Sequence, residues 1–158
     1  MTTSTATVTL PADTQILITR RFAASRHQVY RAWTEPELIR RWWHANRAEV
    51  TEVQVDLRVG GRWRYAARTP DGFEFAFYGE YREIVPDAKL VTTEIYQHAP
   101  DDPALTTATF AAHGDGTMLT LLFEHASQAA RDAQLQSGME DGLQDALSLL
   151  EELAGSLS

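Results

Sequence analysis

The last part of the chain carries the pattern that most constrains the fold. Between Ser127 and Leu153, apolar residues recur at the spacing of one helix face, while acidic and other polar residues occupy the opposite face. Ser127 suits the N-cap of such a helix, and Gly155 stands where a C-cap glycine is expected. We therefore predict one long C-terminal helix whose apolar side is covered by the rest of the protein.

Two glycines lie four residues apart on the apolar side of this helix, Gly138 and Gly142. A glycine inside a helix costs about 1 kcal/mol relative to alanine, so the pair calls for an explanation. Tight packing of the helix on a strand is one explanation, and space for a ligand is the other. The pattern leaves both open.

A series of predicted strands precedes the helix. The first covers 16–22, and two short helices follow it, one capped by Ser25 and one beginning near Pro36. Turn residues such as those of 70–72 and 114–116 then separate six further strands. These six predicted strands are 50–57, 62–68, 73–85, 89–96, 106–112 and 117–125.

Strands linked by hairpins form an antiparallel sheet, and such a sheet needs one face covered. The C-terminal helix is the only predicted element long enough to cover it. Gly60, Gly61 and Gly79 would let the sheet bend. We therefore predict an α+β fold in which a curved antiparallel sheet of about seven strands wraps around the long helix, with the two short helices between strands one and two.

Composition sets the outer limits. With 158 residues, of which 44% are hydrophobic, the chain suits one domain, which we place at 15–155 after a flexible tail at 1–14. It has no cysteine, no long apolar span and no signal-peptide pattern, so we expect a cytoplasmic protein without a membrane partner. The net charge of -8 argues against nucleic acid as a partner.

The alternation of residues along the strands predicts which side chains face the interior. In 62–68, Trp63, Tyr65 and Ala67 share one face and the arginines share the other. In 73–85 the phenylalanines share a face, and in the last strand the large apolar residues do so. We therefore predict that the inner face of the sheet is rich in aromatic side chains.

Five segments carry a resemblance to a known family. They are RAWTEPELIRRWW at 31–43, VDLRVGGRWRY at 55–65, GEYREIVPDAKLV at 79–91, GTMLTLLF at 116–123 and ARDAQLQSGMEDG at 130–142. In this order they resemble the START-like superfamily, also called SRPBCC, and within it the homologues of the activator of the Hsp90 ATPase. The resemblance implies the helix-grip fold with a cavity between sheet and long helix, which in similar standalone bacterial proteins takes small apolar molecules.

Our leading hypothesis is therefore the binding of a small hydrophobic or aromatic ligand in this cavity, without a cofactor. Aromatic walls, a floor of helix residues and tryptophans at the mouth would form the site. The residues predicted to contact the ligand are Trp33, Trp42, Trp43, His44, Trp63, Tyr65, Phe75, Phe77, Tyr96, Phe110, Leu119, Leu121, Met139, Gly142 and Leu143.

An enzyme is the second hypothesis, with a cyclase- or hydrolase-like reaction on a hydrophobic substrate. No nucleophile elbow, phosphate loop or zinc-protease motif is present, and the five histidines are too scattered for a metal site. Proton transfer would depend on Tyr78, Glu80 or His98, with His98 reaching the cavity mouth near Glu80.

The third hypothesis is a co-chaperone-like interaction domain, in which the acidic helix face or the arginine-rich sheet docks a protein partner. The eukaryotic co-chaperone that the resemblance points to is longer and has an additional N-terminal domain. Proteins of the helix-grip type can dimerise, so a homodimer is left open.

Overall fold

A computed structural model describes residues 5–157 of the chain. It contains eight strands and four helices within these residues. Their order and bounds are β1 (Thr7–Thr9), β2 (Gln15–Phe22), α1 (Arg26–Thr34), α2 (Pro36–Trp42), β3 (Glu49–Val55), β4 (Arg62–Arg68), β5 (Glu74–Val85), β6 (Lys89–Tyr96), β7 (Ala104–His113), β8 (Gly116–His125), α3 (Gln128–Gln136) and α4 (Met139–Gly155).

The strands form one antiparallel sheet in the order β1-β2-β8-β7-β6-β5-β4-β3. Hairpins link β3 through β8 in sequence, and α1 and α2 carry the chain from β2 near one edge to β3 at the other. The predicted α+β helix-grip fold is confirmed, with one strand more than the seven expected.

The additional strand corrects the prediction of a flexible tail at 1–14. Thr7–Thr9 pairs with β2, with Thr7 opposite Thr19. The side chain of Gln144 on α4 holds the preceding residue: Ala6 donates its backbone N–H to Gln144 Oε1, and Gln144 Nε2 donates to the Ala6 carbonyl, both at 2.9 Å. Residues 1–4 of the predicted tail lie outside the described residues. A strand of only three residues, Thr7–Thr9, is too short to show the two-residue alternation that predicts a strand.

The predicted long helix is two helices. Ser127 caps α3 as expected, accepting the N–H of Ala130 at 3.1 Å. The chain then breaks at Gly138, whose φ of 82° is left-handed and which is the N-cap of α4. A glycine adopts this conformation at little cost, so Gly138 makes the break and is not inside a helix. Gly155 is the last residue of α4 and Ser156 its C-cap, which corrects the predicted glycine cap.

The two short helices are confirmed. Ser25 and Gln28 form a reciprocal capping box at the start of α1, and Pro36 occupies the first turn of α2. Trp42 Nε1 donates to the Ala32 carbonyl at 2.7 Å, which fixes α2 against α1.

The closed core lies beneath the C-terminal half of α4. Leu147, Leu150 and Ala154 are fully buried there. Facing them are fully buried residues of the sheet, among them Ile16 and Ile18 on β2. Nearby, the buried Arg20 places Nη2 at 3.4 Å from Glu151 Oε1, and Glu151 also accepts the N–H of Ala23. Polar and apolar contacts therefore both fix this end of the helix.

Gly79 on β5 has a packing role. It lies opposite Trp63, whose Nε1 donates to the Thr93 carbonyl at 3.2 Å, and a Cβ on Gly79 would stand 1.9 Å from that carbonyl oxygen. The register shift between β5 and β6 falls between Tyr81 and Glu83, two residues beyond Gly79. The glycine therefore permits a close approach of β5 and β6 beneath the Trp63 ring.

Replacing Gly79 with alanine tests this role. We expect Gly79→Ala to lower the free energy of unfolding by about 1–3 kcal/mol, because the methyl group must displace the backbone of β6. Urea denaturation measures the change. Gly142→Ala is the control: its Cβ would meet no atom within 4 Å, so it should raise stability by up to about 1 kcal/mol. Equal stability of Gly79→Ala and wild type would contradict the packing role.

Candidate functional site

A cavity of about 480 Å³ lies between the inner face of the sheet and the N-terminal half of α4. The segment from α2 to β3 borders one side of it. Its lining consists of Trp33, Trp42, Trp43, His44, Ala45, Arg47, Ala48, Trp63, Tyr65, Ala67, Thr69, Phe75, Phe77, Tyr81, Leu90, Thr92, Glu94, Thr106, Ala108, Leu121, Phe123, Gln134, Ser137, Gly138, Met139, Gly142, Leu143 and Ala146.

The cavity is open beside Gly142, where the first half of α4 carries no side chain to fill the space. Met139, Gly142, Leu143 and Ala146 face it, and the space that a Cβ on Gly142 would enter is empty to 4 Å. Of the two explanations for this glycine, open space is therefore the one that the structure supports. One turn further on, Leu147 is fully buried and the cavity ends.

Aromatic contacts join α2 to the sheet at one end of the cavity. The ring of Trp43, the C-cap of α2, lies 5.5 Å from the Tyr65 ring, 5.9 Å from Phe75 and 6.1 Å from Phe77, measured between centroids. Trp63 continues the cluster at 4.8 Å from Tyr65. Edge-to-face and tilted pairs of this kind add to the energy of simple burial, so the wall is held in a defined shape.

Most residues predicted to contact a ligand line this cavity, and three do not. Phe110 and Leu119 are fully buried in the closed core. Tyr96 lies beyond the lining, with its ring 5.0 Å from that of Phe77. The predicted residues that do line the cavity are Trp33, Trp42, Trp43, His44, Trp63, Tyr65, Phe75, Phe77, Leu121, Met139, Gly142 and Leu143.

His44 lines the cavity, but its ring nitrogens are already bonded. Nδ1 accepts the backbone N–H of Asn46 at 2.9 Å, and Nε2 lies 3.0 Å from the Arg41 carbonyl, to which it donates. This pairing fixes one neutral tautomer. A hydrogen bond from His44 to a ligand would have to replace one of these bonds.

The three residues predicted to transfer protons lie outside the cavity. The Tyr78 ring lies under the Arg64 guanidinium, and Glu80 pairs with Arg82 at 3.4 Å. His98 is exposed, and its Nε2 donates to the Glu74 carbonyl at 2.8 Å. No hydrogen bond or ion pair joins His98 to Glu80 within 5–157, and each of the two has another partner.

Glu94 is the residue that the sequence analysis missed. It is the only carboxylate of the lining described above, and it makes no hydrogen bond or ion pair within residues 5–157. Loss of hydration raises the pKa of Glu94 to about 7. Two-residue periodicity from Leu90 places Thr92 and Glu94 on the same inner face, and this was the signal available in the sequence.

Side chains with hydroxyl groups share the cavity lining with Glu94. Tyr81 lies opposite Thr92, and Thr92 lies opposite Thr106 across three neighbouring strands. Thr106 is buried, and its Oγ1 has no hydrogen-bond partner within the described part of the chain. Burial raises the pKa of Tyr65 well above its usual range, and the charges of Tyr81 and Glu94 add to the effect. The tyrosines therefore stay protonated, and Thr92, Glu94 and Thr106 form a polar patch on the inner face of the sheet.

Among residues 5–157, no three His, Cys, Asp or Glu side chains come together in a way that would hold a metal ion. None of the helices in this range is long and apolar enough to cross a membrane.

The curved sheet closed by a C-terminal helix defines a protein of the START-like, or SRPBCC, class. Residues 23–155 match the family model described as Activator of Hsp90 ATPase homolog 1-like protein. The chain therefore belongs to this family, which confirms the resemblance seen in the sequence.

Solved structures of similar proteins span nearly the whole chain. A protein from Rhodobacter sphaeroides has 26% identity and a TM-score of 0.89, over 96% of this chain and 99% of its own. One from Mycobacterium smegmatis has 25% identity and a TM-score of 0.85, over 97% and 99%. An AHSA1-like protein from Aeromonas hydrophila has 26% identity and a TM-score of 0.71, over 89% and 94%. No curated protein sequence matches the chain.

The raised pKa of Glu94 predicts how stability changes with pH. Between the ordinary carboxyl pKa of 4.5 and about 7, the folded protein binds a proton that the unfolded chain has released, so stability falls as pH rises through this window. From pH 5 to pH 8, wild type should lose roughly 2 kcal/mol more than Glu94→Gln does. Urea denaturation at both pH values measures the difference.

Glu124→Gln is the matched control for this pH comparison, since Glu124 is exposed on β8. It should follow the wild-type pH dependence. Parallel pH profiles for wild type and Glu94→Gln would show that Glu94 is hydrated in the folded protein.

Proposed function

We propose that this protein binds a small, largely apolar aromatic molecule in the cavity between the sheet and α4. The observation that carries the proposal is the combination of an aromatic wall with the unfilled space above Gly142. A packed core would have a side chain there, since voids of this size cost stability. A volume of about 480 Å³ lies within the range of small-molecule sites.

The family supports the same conclusion at a coarser level. The helix-grip fold of this family is that of a ligand-binding domain, and the chain matches the family over residues 23–155. Fold alone does not identify a ligand, so the chemistry of the wall must do so. A ligand with planar aromatic rings would stack on the ring faces of Trp43, Trp63 and Tyr65.

Catalysis is the second candidate, and Glu94 is the observation that favours it. A carboxyl group with a pKa of about 7 can give up or accept a proton near neutral pH, as a general acid or base must. The cyclase- or hydrolase-like hypothesis therefore moves from Tyr78, Glu80 and His98 to Glu94. Turnover that disappears in Glu94→Gln while ligand binding persists would support it.

Thermal shift and tryptophan fluorescence against aromatic polyketides, flavonoids, steroids and fatty acids provide the first test. A ligand at 100 times its dissociation constant stabilises the fold by roughly 2.7 kcal/mol, which raises the melting temperature by several degrees. We expect the planar aromatic classes to give the shift. If no class does so, the co-chaperone-like interaction hypothesis becomes the stronger one.

Filling the cavity from the helix gives the sharper test. We predict that Gly142→Leu folds with an unchanged or higher melting temperature, because leucine favours the helix and its Cβ enters open space. Ligand affinity should fall at least roughly tenfold, since the side chain occupies the site. The melting temperature and the dissociation constant of a panel ligand are measured on the same preparation.

Gly155→Leu is the matched control. Gly155 lies on the same helix, is exposed, and is remote from the lining. This variant should keep wild-type affinity. Undiminished binding by Gly142→Leu would place the ligand elsewhere, and unfolding of Gly142→Leu alone would show that the glycine serves packing.

A further inference from the structure

The carboxylate in the cavity has no protein counter-ion. Glu94 makes no ion pair among the residues that the structure describes. The basic groups of the lining are engaged elsewhere: Arg47 Nη2 lies 2.7 Å from Asp145, and both His44 nitrogens bond to backbone groups. A carboxylate that has lost part of its hydration and has no partner is costly, so a cationic guest would gain energy by supplying one.

The surroundings of Glu94 also suit a cation. Trp63, Tyr65 and Tyr81 present aromatic rings to the same cavity, and ring faces attract ammonium groups. The Oγ1 atom of Thr106 is buried without a partner and can accept a hydrogen bond. An ammonium group has three donors, and the carboxylate and hydroxyl oxygens of this lining are acceptors for such donors.

We propose that the cavity selects aromatic molecules that carry a basic nitrogen, and that the Glu94 carboxylate pairs with this nitrogen. The inference rests on the proposed function and specifies its ligand class. An anionic ligand would be repelled by Glu94, and the net charge of -8 disfavours its approach. Neutral ligands would keep the aromatic contacts and lose the ion pair.

Three fluorescent probes that differ in one group test the inference: 1-pyrenemethylamine, 1-pyrenemethanol and 1-pyrenecarboxylate. Their dissociation constants are measured by fluorescence anisotropy at pH 8. The alcohol reports whether the cavity binds a flat apolar guest at all, and the ratio of amine to alcohol affinity reports on Glu94. We expect the amine to bind roughly tenfold or more tightly than the alcohol, as a charged hydrogen bond gives, and the carboxylate to bind weakest.

Variants of Glu94 and Glu124 test whether the preference for the amine over the alcohol depends on the Glu94 side chain. Glu94→Gln should bind amine and alcohol with affinities within roughly threefold of each other. Its melting temperature and near-UV circular dichroism, compared with those of wild type, show whether the variant is folded, and measurable binding of the alcohol shows that its cavity persists. Glu124→Gln, which removes an exposed carboxylate on the outside of β8, should keep the full preference for the amine.

The pH dependence adds a second readout. Raising the pH from 6 to 8 ionises Glu94 and should tighten amine binding by about tenfold, given its pKa of about 7. The other titratable or charged lining groups are Tyr65 and Tyr81 on the sheet and His44 and Arg47 beside α2. Glu94→Gln retains all four, so the pH response should disappear in this variant.

Three results would overturn the inference. If wild type binds amine and alcohol with equal affinity, the cavity does not select a basic nitrogen and the inference is wrong. Binding of the alcohol would still support the proposed function. A preference for the amine that persists in Glu94→Gln would place the counter-charge elsewhere. Absence of binding by all three probes would contradict the proposed function and the inference with it.

Discussion

The structure depends on the different packing of the two halves of α4. Its C-terminal half inserts Leu147 and Leu150 into the closed core and fixes the helix to the sheet, with Arg20 and Glu151 adding a polar contact. Its N-terminal half passes over the same sheet at Gly142 without a side chain that fills the space. One half therefore supplies the hydrophobic stabilisation that holds the other half in place above a cavity.

The aromatic wall follows from the curvature of the sheet. Gly79 lets β5 and β6 approach closely beneath Trp63, and the indole of Trp63 bonds to the backbone of β6. Trp43 then closes the wall from α2 through its contacts with Tyr65 and neighbouring phenylalanines. A binding site built on strands and a helix in this way is fixed before a ligand arrives, which lowers the entropy cost of binding.

Glu94 is a half-buried carboxylate in the cavity wall, although polar groups withdrawn from water normally find partners within the protein. Its carboxylate is unpaired in the described structure, and Thr106 Oγ1 is unpaired in the same cavity. Local departures of this kind reduce stability, and they concentrate where a protein binds or transforms another molecule. For this reason the polar patch, more than the aromatic wall, sets the chemistry that we assign to the site.

The sequence by itself determined the order of the elements from β2 to β8, the caps at Ser25 and Ser127, and the inward faces of Trp63 and Tyr65, because caps and periodicity are local properties. Tertiary structure alone decided the strand at Thr7–Thr9, since its partners are distant in the chain. It also decided that Phe110 lies in the closed core and that Glu94 faces the cavity. Periodicity gives the face of a strand on which a residue lies, whereas the position of α4 determines whether that face meets core or open space.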